Sequence, residues 1–547
     1  SEADATALHV HSMDDSRCIG GAAAIDSYLS IENVVAAARA LRADAVHPGY
    51  GFLSENPHFA QAVVDAGLIF VGPSAAAMRA LGSKIEAKRL ARANGIPVVP
   101  GYDGDDQAPE RLRTEAARLG TPLLIKASAG GGGRGMRVVE HLGAFDAALE
   151  AAQREAQVGF GDAAVLLERY VRRPRHIEIQ IIADAHGTIL HLGERECSIQ
   201  RRHQKVVEEA PSVAVDERLR GALGDAAVRL ARAAGYTNAG TVEFILDEDG
   251  RYYFLEMNTR LQVEHPVTEL VYGVDLVRWQ FAVAANEQLD VRQADLTQRG
   301  WAIEVRVNAE DPATFLPSSG KLNEWRPPNG PGIRVDGGVR SGSTISVHYD
   351  SMLAKVIAWG TDRTNAIARL DRALSETVAT GVRTNLPFLR WIVRDEVFRS
   401  GALTTRFFEE RFDPSTFAAV ADLRQSLLLA AGHVLMQGDW SWRIGGIARP
   451  IALESEGLRS MIWATRERPQ TWSFDGALTG TVTFTRDGTL LRATDERGDT
   501  VSGAVDAAPN RIGVTIGGRA RVLALAAPPS ATAASDRAAL AESRIDA

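Results

Sequence analysis

The sequence predicts a multidomain protein of the α/β and α+β classes, and three features of the chain indicate this. Helix-like and strand-like stretches alternate between residues 26 and 81, a strand, a glycine-rich loop and a second strand span 121–140, and short strands follow residue 414. The first pattern is typical of a parallel sheet covered by helices. A chain of 547 residues is also too long for one hydrophobic core, so we expect several domains.

The first predicted domain, residues 1–81, is Rossmann-like. Apolar residues recur at helical spacing over 31–41 and 56–66, and the short apolar runs 43–46 and 68–71 are typical of strands. The βαβ pattern starts part-way through a unit. We therefore expect this domain to be truncated and to lack its first strand and helix.

The second predicted domain, residues 82–300, begins with a helix. Ser83 and Glu86 match a capping box, and Gly95 ends the helix. Strands are predicted at 121–127, 136–140, 164–169, 176–183 and 188–193, a helix at 214–234, and a hairpin at 241–246 and 252–257.

The last part of the chain changes character near Pro414. A helix is predicted over 417–437, and regular short strands with turn dipeptides such as Asp487-Gly488 then predict a small antiparallel β-barrel. Residues 526–547 are rich in Ala, Ser and Pro, which is typical of a linker. We therefore predict a third domain at residues 301–414, a fourth at 415–525 and a linker at 526–547.

Composition excludes several classes of protein. The net charge of −8 argues against nucleic acid as the main partner, and no apolar run reaches the length of a membrane span. Cys18 and Cys197 cannot form a disulfide framework, so we expect a reducing compartment. The expected location is the cytoplasm, with the mitochondrial matrix as the alternative.

The glycine-rich loop over 129–135 is the first feature that indicates chemistry. Successive glycines let backbone amides approach phosphate oxygens without a side-chain clash. No Lys-Ser or Lys-Thr pair follows, and a strand comes next, so the loop is not of the Walker type. A glycine loop between two strands favours a flap that closes over a nucleotide, and Lys126, near the end of the first strand, can reach the same phosphates. The alternative is an ordinary mobile hairpin tip.

Acidic residues on the predicted hairpin indicate a metal site. If 247–250 form the loop and Leu246 pairs with Arg251, Glu243 and Glu256 become diagonal neighbours, and Asn258 continues their face. Three oxygen ligands beside a phosphate loop suit magnesium. Val242, Phe244 and Leu255 would form the opposite, apolar face. This interpretation depends on the register, and the alternative is that one glutamate is an ordinary exposed strand residue.

Basic and acidic residues near this hairpin indicate an anion site. Arg260 offers a fork for a small anion such as bicarbonate, and Glu264 lies within reach as a general base. The segment 198–209 adds further cationic and amide side chains, although a basic run is usually a solvated face. Arg306 alternates with valines, so it points to one face of a strand. The cationic and amide side chains of the segment 198–209 are Gln200, Arg201, Arg202, His203, Gln204 and Lys205.

Taken together, these motifs closely resemble the biotin carboxylase family, whose members are ATP-grasp enzymes. The matching segments are Lys126-Ala127-Ser128 with the glycine loop, 176–180, 201–211 and 256–268, in that order along residues 1–414. The resemblance implies a truncated Rossmann-like domain, an ATP-grasp domain with a glycine-rich lid at about 98–170, and an α+β C-terminal carboxylase domain. The helix and barrel at 415–525 look like the subunit-contact domain of acyl-CoA carboxylase α subunits.

The resemblance also implies roles for individual residues. Glu264 would deprotonate bicarbonate to start carboxyphosphate formation, with Lys205 and Arg260 beside it, and Arg306 would stabilise the biotin enolate. Magnesium, or manganese instead, would be held by Glu243, Glu256 and Asn258. Bicarbonate and biotin would contact Lys205, Arg260, Gln262, Val263, Tyr50 and Arg306. ATP would contact Lys84, Lys126, Gly131, Gly132, Gly133, Glu168, His176, Gln200 and His203.

The chain departs from the family pattern in three places. The family's first strand with its Asn-Arg-Gly-Glu turn is absent, and Arg169 stands where a lysine is frequent. No Met-Lys pair exists and no lysine follows Lys355, so we expect biotin to be carried by a segment or chain not present here. The implied partners are a biotinyl carrier domain, a carboxyltransferase β subunit, and a second copy in a homodimer or a larger α/β complex.

Two other functions stay open from the sequence. An ATP-grasp ligase with a different acceptor would share the same nucleotide chemistry, and a non-catalytic scaffold would act through residues 415–525. The identity of the acyl-CoA also stays open among the acetyl, propionyl, methylcrotonyl and geranyl types.

Overall fold

The computed structural model describes residues 1–128, 136–202, 204–414 and 423–437, and eight strand segments: 449–455, 458–468, 471–476, 480–487, 490–495, 500–508, 511–516 and 519–526. The predicted glycine loop, His203, residues 417–422 of the predicted helix and the predicted linker beyond 526 lie outside these residues.

The first part of the chain contains one short parallel strand pair and four helices. In β1 and β2, Ala45 pairs with Ile69 and Val46 with Phe70, which confirms the predicted parallel pattern in a shorter form. Phe59, Val63 and Met78 pack in the core between the helices. The elements are α1 (Leu8–Ser12), α2 (Ile31–Ala40), β1 (Ala45–Val46), α3 (Pro57–Asp65), β2 (Ile69–Phe70) and α4 (Ala75–Gly82).

The second part carries most of the predicted site residues. Ser83 caps its first helix by accepting from the Glu86 amide, as the sequence predicts. Its elements are α5 (Lys84–Ala93), β3 (Gly101–Tyr102), α6 (Pro109–Leu119), β4 (Leu123–Ala127), β5 (Arg137–Val139), α7 (Phe145–Phe160), β6 (Val165–Arg169), β7 (Arg175–Ala183), β8 (Ile189–Arg201), β9 (Gln204–Ala210), α8 (Glu217–Ala233), β10 (Asn238–Leu246), β11 (Tyr252–Asn258), α9 (His265–Tyr272) and α10 (Leu276–Ala284).

The third part extends the same architecture. Its elements are β12 (Trp301–Asn308), β13 (Gly320–Lys321), β14 (Glu324–Arg326), β15 (Ile333–Gly337), β16 (Thr344–Ile345), β17 (Met352–Gly360), α11 (Arg363–Glu376), β18 (Val378–Thr380), α12 (Leu386–Arg394), α13 (Glu396–Ser400) and α14 (Phe407–Arg411).

One antiparallel sheet of eight strands organises both parts, in the order β11-β10-β7-β8-β9-β12-β17-β15. It runs across the predicted boundary at residue 300, because β9 pairs with β12. One side of β12 buries Ile303, Val305 and Val307 in the largest apolar core. The other side carries charged residues beneath α9. A separate four-stranded sheet, β3-β6-β4-β5, packs against α6 and α7.

The last part is a helix with a closed barrel, as the sequence predicts. Leu429 and Leu435 of α15 (Leu423–Gln437) pack against barrel residues such as Phe484 and Val514. The strands are β19 (Arg449–Ser455), β20 (Leu458–Arg468), β21 (Thr471–Gly476), β22 (Gly480–Asp487), β23 (Leu490–Asp495), β24 (Thr500–Ala508), β25 (Arg511–Ile516) and β26 (Arg519–Ala526).

Among the described residues, no helix combines the length and apolar character that a bilayer crossing requires.

Candidate active site

The β10–β11 hairpin forms where the sequence predicts it, but the predicted register is wrong. Leu246 pairs with Tyr252 rather than with Arg251, so the loop is one residue longer. A β-bulge then follows Glu243 and places it directly opposite Glu256, where the predicted pairing made them diagonal neighbours. A bulge adds one residue to one strand, which a count from the turn cannot reveal.

The two carboxylates and the predicted amide ligand nevertheless share one face. Asn258 Nδ2 donates to Glu243 Oε1 at 2.7 Å. The opposite face is apolar, with Val242 and Phe244 buried as predicted. Its partners on β11 are Phe254 and Met257 rather than the predicted Leu255, because the bulge shifts the alternation. Nearby on the same side, Lys84 Nζ lies 3.7 Å from Glu256 Oε2.

These residues fit a divalent cation. Two carboxylates directly opposite each other on paired strands repel. Burial and the charge of Glu243 both raise the pKa of Glu256. A divalent cation would relieve this repulsion, and the set of carboxylate and amide oxygens is the kind that magnesium prefers. His176, Glu178 and Glu243 also offer ligand atoms within 4.8 Å of one another.

Lys205 joins the metal-side carboxylates to the predicted base. Its Nζ contacts Glu243 Oε1 at 2.8 Å, Glu264 Oε1 at 2.7 Å and Glu178 Oε2 at 2.5 Å. Burial would lower the pKa of this amine, but the three carboxylates outweigh it and raise the pKa well above its ordinary value. Lys205 is therefore a fixed cation.

Glu264 lies between two cations. Its other oxygen, Oε2, accepts from Arg306 Nη2 at 3.1 Å, and Arg306 Nε donates to Glu208 Oε1 at 2.8 Å. Burial would raise the pKa of Glu264, but Lys205 and Arg306 hold it below its ordinary value. The buried side chain is therefore ionised at neutral pH, which a general base requires.

Lys126, the second predicted ATP-binding lysine, lies on β4 of the smaller sheet. Lys126 Nζ is 2.5 Å from Glu168 Oε2, and Lys88 contacts the other oxygen of Glu168. Burial lowers the pKa of Lys126 to about 8. Glu168 therefore lies between two buried lysines. Lys88 was not predicted as a site residue, although α5 places it one turn after Lys84.

His176 and Gln200 are neighbours. Gln200 Nε2 lies 3.0 Å from His176 Nδ1, and His176 Nε2 lies 3.1 Å from Glu243 Oε2. Burial would lower the pKa of His176, but the Glu243 carboxylate outweighs it and raises the pKa to about 9. Gln200 and His176, both predicted to contact ATP, are therefore linked to Glu243, a predicted metal ligand.

The predicted anion segment folds against the hairpin. Arg260 donates from Nη1 to Gln262 Oε1 at 3.1 Å and from Nη2 to Asn258 Oδ1 at 3.3 Å. The carbonyl oxygen of Val263 accepts from Lys355 Nζ at 2.8 Å. The structure thus brings the Arg260–Glu264 segment to the same face as the candidate metal ligands.

Tyr50 lies in the loop between β1 and α3, and 38% of its surface is exposed. The same loop reaches the site through Glu55, whose Oε2 accepts from Arg260 Nε at 3.1 Å. Glu55 also accepts from the backbone amide of Thr259. The Tyr50 loop therefore borders the anion segment.

Arg195 is the largest site residue that the sequence analysis missed. It is fully buried, and its Nε donates to Glu178 Oε1 at 2.6 Å. Its other nitrogens donate to Gln180, Thr268 and Thr241. Alternation over 176–180 was the available signal, because it places Glu178 and Gln180 on one strand face.

Replacement of Arg195 by methionine should destabilise the large sheet. Removal of one partner of a buried ion pair costs about 3–5 kcal/mol because the remaining charge is left uncompensated. We expect a clearly lower midpoint of urea unfolding, measured by tryptophan fluorescence. Arg292→Met, which breaks an exposed pair with Asp295, is the control and should change the midpoint little. Equal midpoints for both variants would contradict the expectation.

Comparison with known proteins finds matches over most of the chain up to residue 410. Residues 1–78 match the family model for the biotin carboxylase N-terminal domain, and residues 304–410 match that for the biotin carboxylase C-terminal domain. Residues 83–292, between them, match the model for the carbamoyl-phosphate synthase L chain ATP-binding domain. Biotin carboxylase 1 of Bacillus subtilis is 48% identical over 411 residues, which cover 75% of this chain and 91% of that protein.

Two further similarities extend the comparison. The mitochondrial methylcrotonoyl-CoA carboxylase subunit alpha of Arabidopsis thaliana is 49% identical over 412 residues, and the match covers 75% of this chain but only 56% of that protein. The fold also matches a crystal structure of the biotin carboxylase domain dimer of Hydrogenobacter thermophilus 2-oxoglutarate carboxylase, which contains MgADP, ADP and bicarbonate. The two chains superpose with a TM-score of 0.73 at 43% sequence identity. The match covers 77% of this chain and 92% of that chain. The chain belongs to the biotin carboxylase family of ATP-grasp ligases.

Proposed function

We propose that the chain carboxylates biotin with ATP and bicarbonate, as the biotin carboxylase component of a multi-subunit acyl-CoA carboxylase. The observation that carries this proposal is the position of Glu264, which is buried and ionised between Lys205 and Arg306. The methylcrotonoyl-CoA carboxylase subunit among its relatives supports the acyl-CoA type, although that relative extends well beyond the matched region.

The side chains of the site suit each step. Lys205 and Arg260 hold a bicarbonate anion next to Glu264, which takes the bicarbonate proton. The bicarbonate oxygen then attacks the γ-phosphorus of ATP, and the bond to the β–γ bridging oxygen breaks to release ADP. Breakdown of the resulting carboxyphosphate gives carbon dioxide and phosphate, and the phosphate removes the ureido proton of biotin. Arg306 then faces the negative charge that develops on the biotin oxygen, and the deprotonated ureido nitrogen adds to carbon dioxide to form carboxybiotin.

Magnesium would be held by Glu243, Glu256 and Asn258. When bound, it would offset the negative charge of the phosphate oxygens. Lys84 and Lys126 would bind the phosphates from the other side, with Glu168 fixing Lys126. The predicted contacts of Gly131, Gly132, Gly133 and His203 remain part of this proposal.

A steady-state assay of ADP release tests the proposal. We expect ATP cleavage by the chain to depend on bicarbonate and to rise when free biotin is added. Labelled bicarbonate should appear in an acid-labile biotin product. Cleavage that is equally fast without bicarbonate or biotin would contradict the proposal, and label in a different acceptor would identify another ligase.

The metal assignment has its own test. Loss of an outer-shell partner typically costs 10- to 100-fold in metal affinity, so loss of a ligand should cost at least about tenfold. Glu256→Gln should therefore raise the magnesium concentration needed for ADP binding, measured by calorimetry. Glu55→Gln is the matched control, because Glu55 contacts Arg260 of the same site but is not a proposed metal ligand. An unchanged magnesium requirement in Glu256→Gln would contradict the assignment.

The helix and barrel beyond residue 422 are proposed to contact a carboxyltransferase β subunit. Support comes from the helix-filled closed barrel that follows the carboxylase part. Reconstitution of the chain with a biotinyl carrier and carboxyltransferase subunits of the acetyl, propionyl, methylcrotonyl and geranyl types should yield one active acyl-CoA specificity. Equal inactivity of all four would contradict this part of the proposal.

A further inference from the structure

A second pair of glutamates lies beneath the active site, on the side of the sheet that faces α9. Glu304 of β12 and Glu208 of β9 are directly opposite each other in the antiparallel register. Both side chains are fully buried. Both carboxylate oxygens of Glu304, and Oε2 of Glu208, have no hydrogen-bond partner in the described structure.

Two ionised carboxylates are unfavourable in this arrangement. Like charges directly opposite on neighbouring strands repel, and a buried carboxylate without partners carries a large desolvation cost. A single proton resolves both problems. If Glu304 is protonated, its O–H can donate to Glu208 Oε2, which gives one oxygen of each residue a partner.

The surrounding charges indicate which glutamate carries the proton. Burial raises the pKa of Glu208 to about 7, although Arg306, which donates to its Oε1, stabilises the ionised form. No side chain of the described structure donates to Glu304. Burial, reinforced by Glu208, raises the pKa of Glu304 well above its ordinary value.

Every element packed around Glu304 contributes to this balance. Lys355 of β17 and Arg306 are the cations whose charges lower the pKa of Glu304, but Lys355 is already engaged with the Val263 carbonyl and Asp336. Near α9, the titratable groups are Glu264, which is ionised, Glu269, which is paired with Arg334, and His265. Burial lowers the pKa of His265 to about 3, so this side chain is neutral. The other cations near α9 in the described structure are already paired, Arg195 with Glu178 and Arg334 with Glu269 and Asp336.

We propose that Glu304 is held protonated and donates a hydrogen bond to Glu208, so that one negative charge orients Arg306 against Glu264. Glu304 is thus a positioning residue that acts through Glu208. This role rests on the proposed function of Arg306 and Glu264. At alkaline pH a second charge beside Glu208 would draw the guanidinium toward the sheet and away from Glu264, and activity would fall.

Two substitutions of Glu304 test the role of the proton. Glu304→Leu removes the donor, and since hydrogen bonds to charged groups contribute the equivalent of about 10-fold or more, kcat for biotin carboxylation should fall by about that factor. Glu304→Gln restores a donor that cannot ionise. It should recover most of the loss and move the alkaline limb of the pH profile to higher pH. Glu194→Gln, which alters a buried glutamate paired with Arg220, should leave that limb in place.

A spectroscopic measurement decides the protonation state without any activity. The infrared difference spectrum of the unmodified chain minus Glu304→Gln, at neutral pH, should show the C=O stretch of one protonated carboxyl group. A difference spectrum with carboxylate bands instead would overturn the proposal, even if Glu304→Leu does not fold. If the band of a protonated carboxyl group is present but Glu304→Gln does not shift the pH profile of kcat, the positioning role is overturned. Failure of the proposed function would leave this band unchanged.

Discussion

Replacement of Glu264 by glutamine should reduce bicarbonate-dependent ATP cleavage by about 10²- to 10⁴-fold, the usual contribution of a general base. Glutamine keeps the size and the contacts of the side chain, but it cannot accept a proton. The lysine and arginine beside it remain in place, so bicarbonate and ADP should still bind. The effect should therefore appear in kcat, measured by ADP release at saturating substrates.

The matched control for this experiment is Glu194→Gln. Glu194 is equally buried and pairs with Arg220, outside the cluster around Lys205. It should lower stability without the loss of kcat. If both variants lose activity to the same extent, the effect comes from folding and Glu264 is not the base.

Replacement of Arg306 by alanine should reduce biotin carboxylation by about 10²- to 10³-fold, as expected when one oxyanion-stabilising donor is lost. ATP cleavage in the absence of biotin should decrease far less, because Lys205 still contacts Glu264. The measurement is the ratio of carboxybiotin formed to ADP released. A ratio equal to that of the unmodified chain would contradict the role of Arg306.

A second substitution separates charge from geometry at this position. Arg306 donates to Glu208 and Glu264 with different nitrogens, which a lysine cannot reproduce with one ammonium group. We expect Arg306→Lys to fold well but to remain impaired in carboxylation. Arg220→Ala is the control, because it also strips a buried glutamate of its arginine.

Local patterns along the chain were sufficient to predict much of the fold. Val305 and Val307 on either side of Arg306 predicted a strand with one apolar and one charged face, and β12 has both. The turn dipeptides after residue 414 predicted the barrel in the same way. These predictions succeed because alternation and turn chemistry depend on neighbours in sequence.

Pairing across strands could not be predicted in the same detail. The strand predicted at 188–193 extends to Arg201, because Glu194, Arg195 and Glu196 are buried as ion pairs with distant residues. A run of charges in sequence gives no indication of partners on other strands. The β10 bulge and the contact of Lys88 with Glu168 were missed for the same reason.

The single sheet that crosses residue 300 limits how this protein can be divided. Lys205 and Arg306 approach Glu264 from β9 and from the strand paired with it, on opposite sides of the predicted boundary. Separation of the chain at that point would expose a long unpaired edge on each fragment, which favours aggregation. A fusion or swap of carboxylase modules should therefore keep residues 175–360, which contain all eight strands, on one fragment.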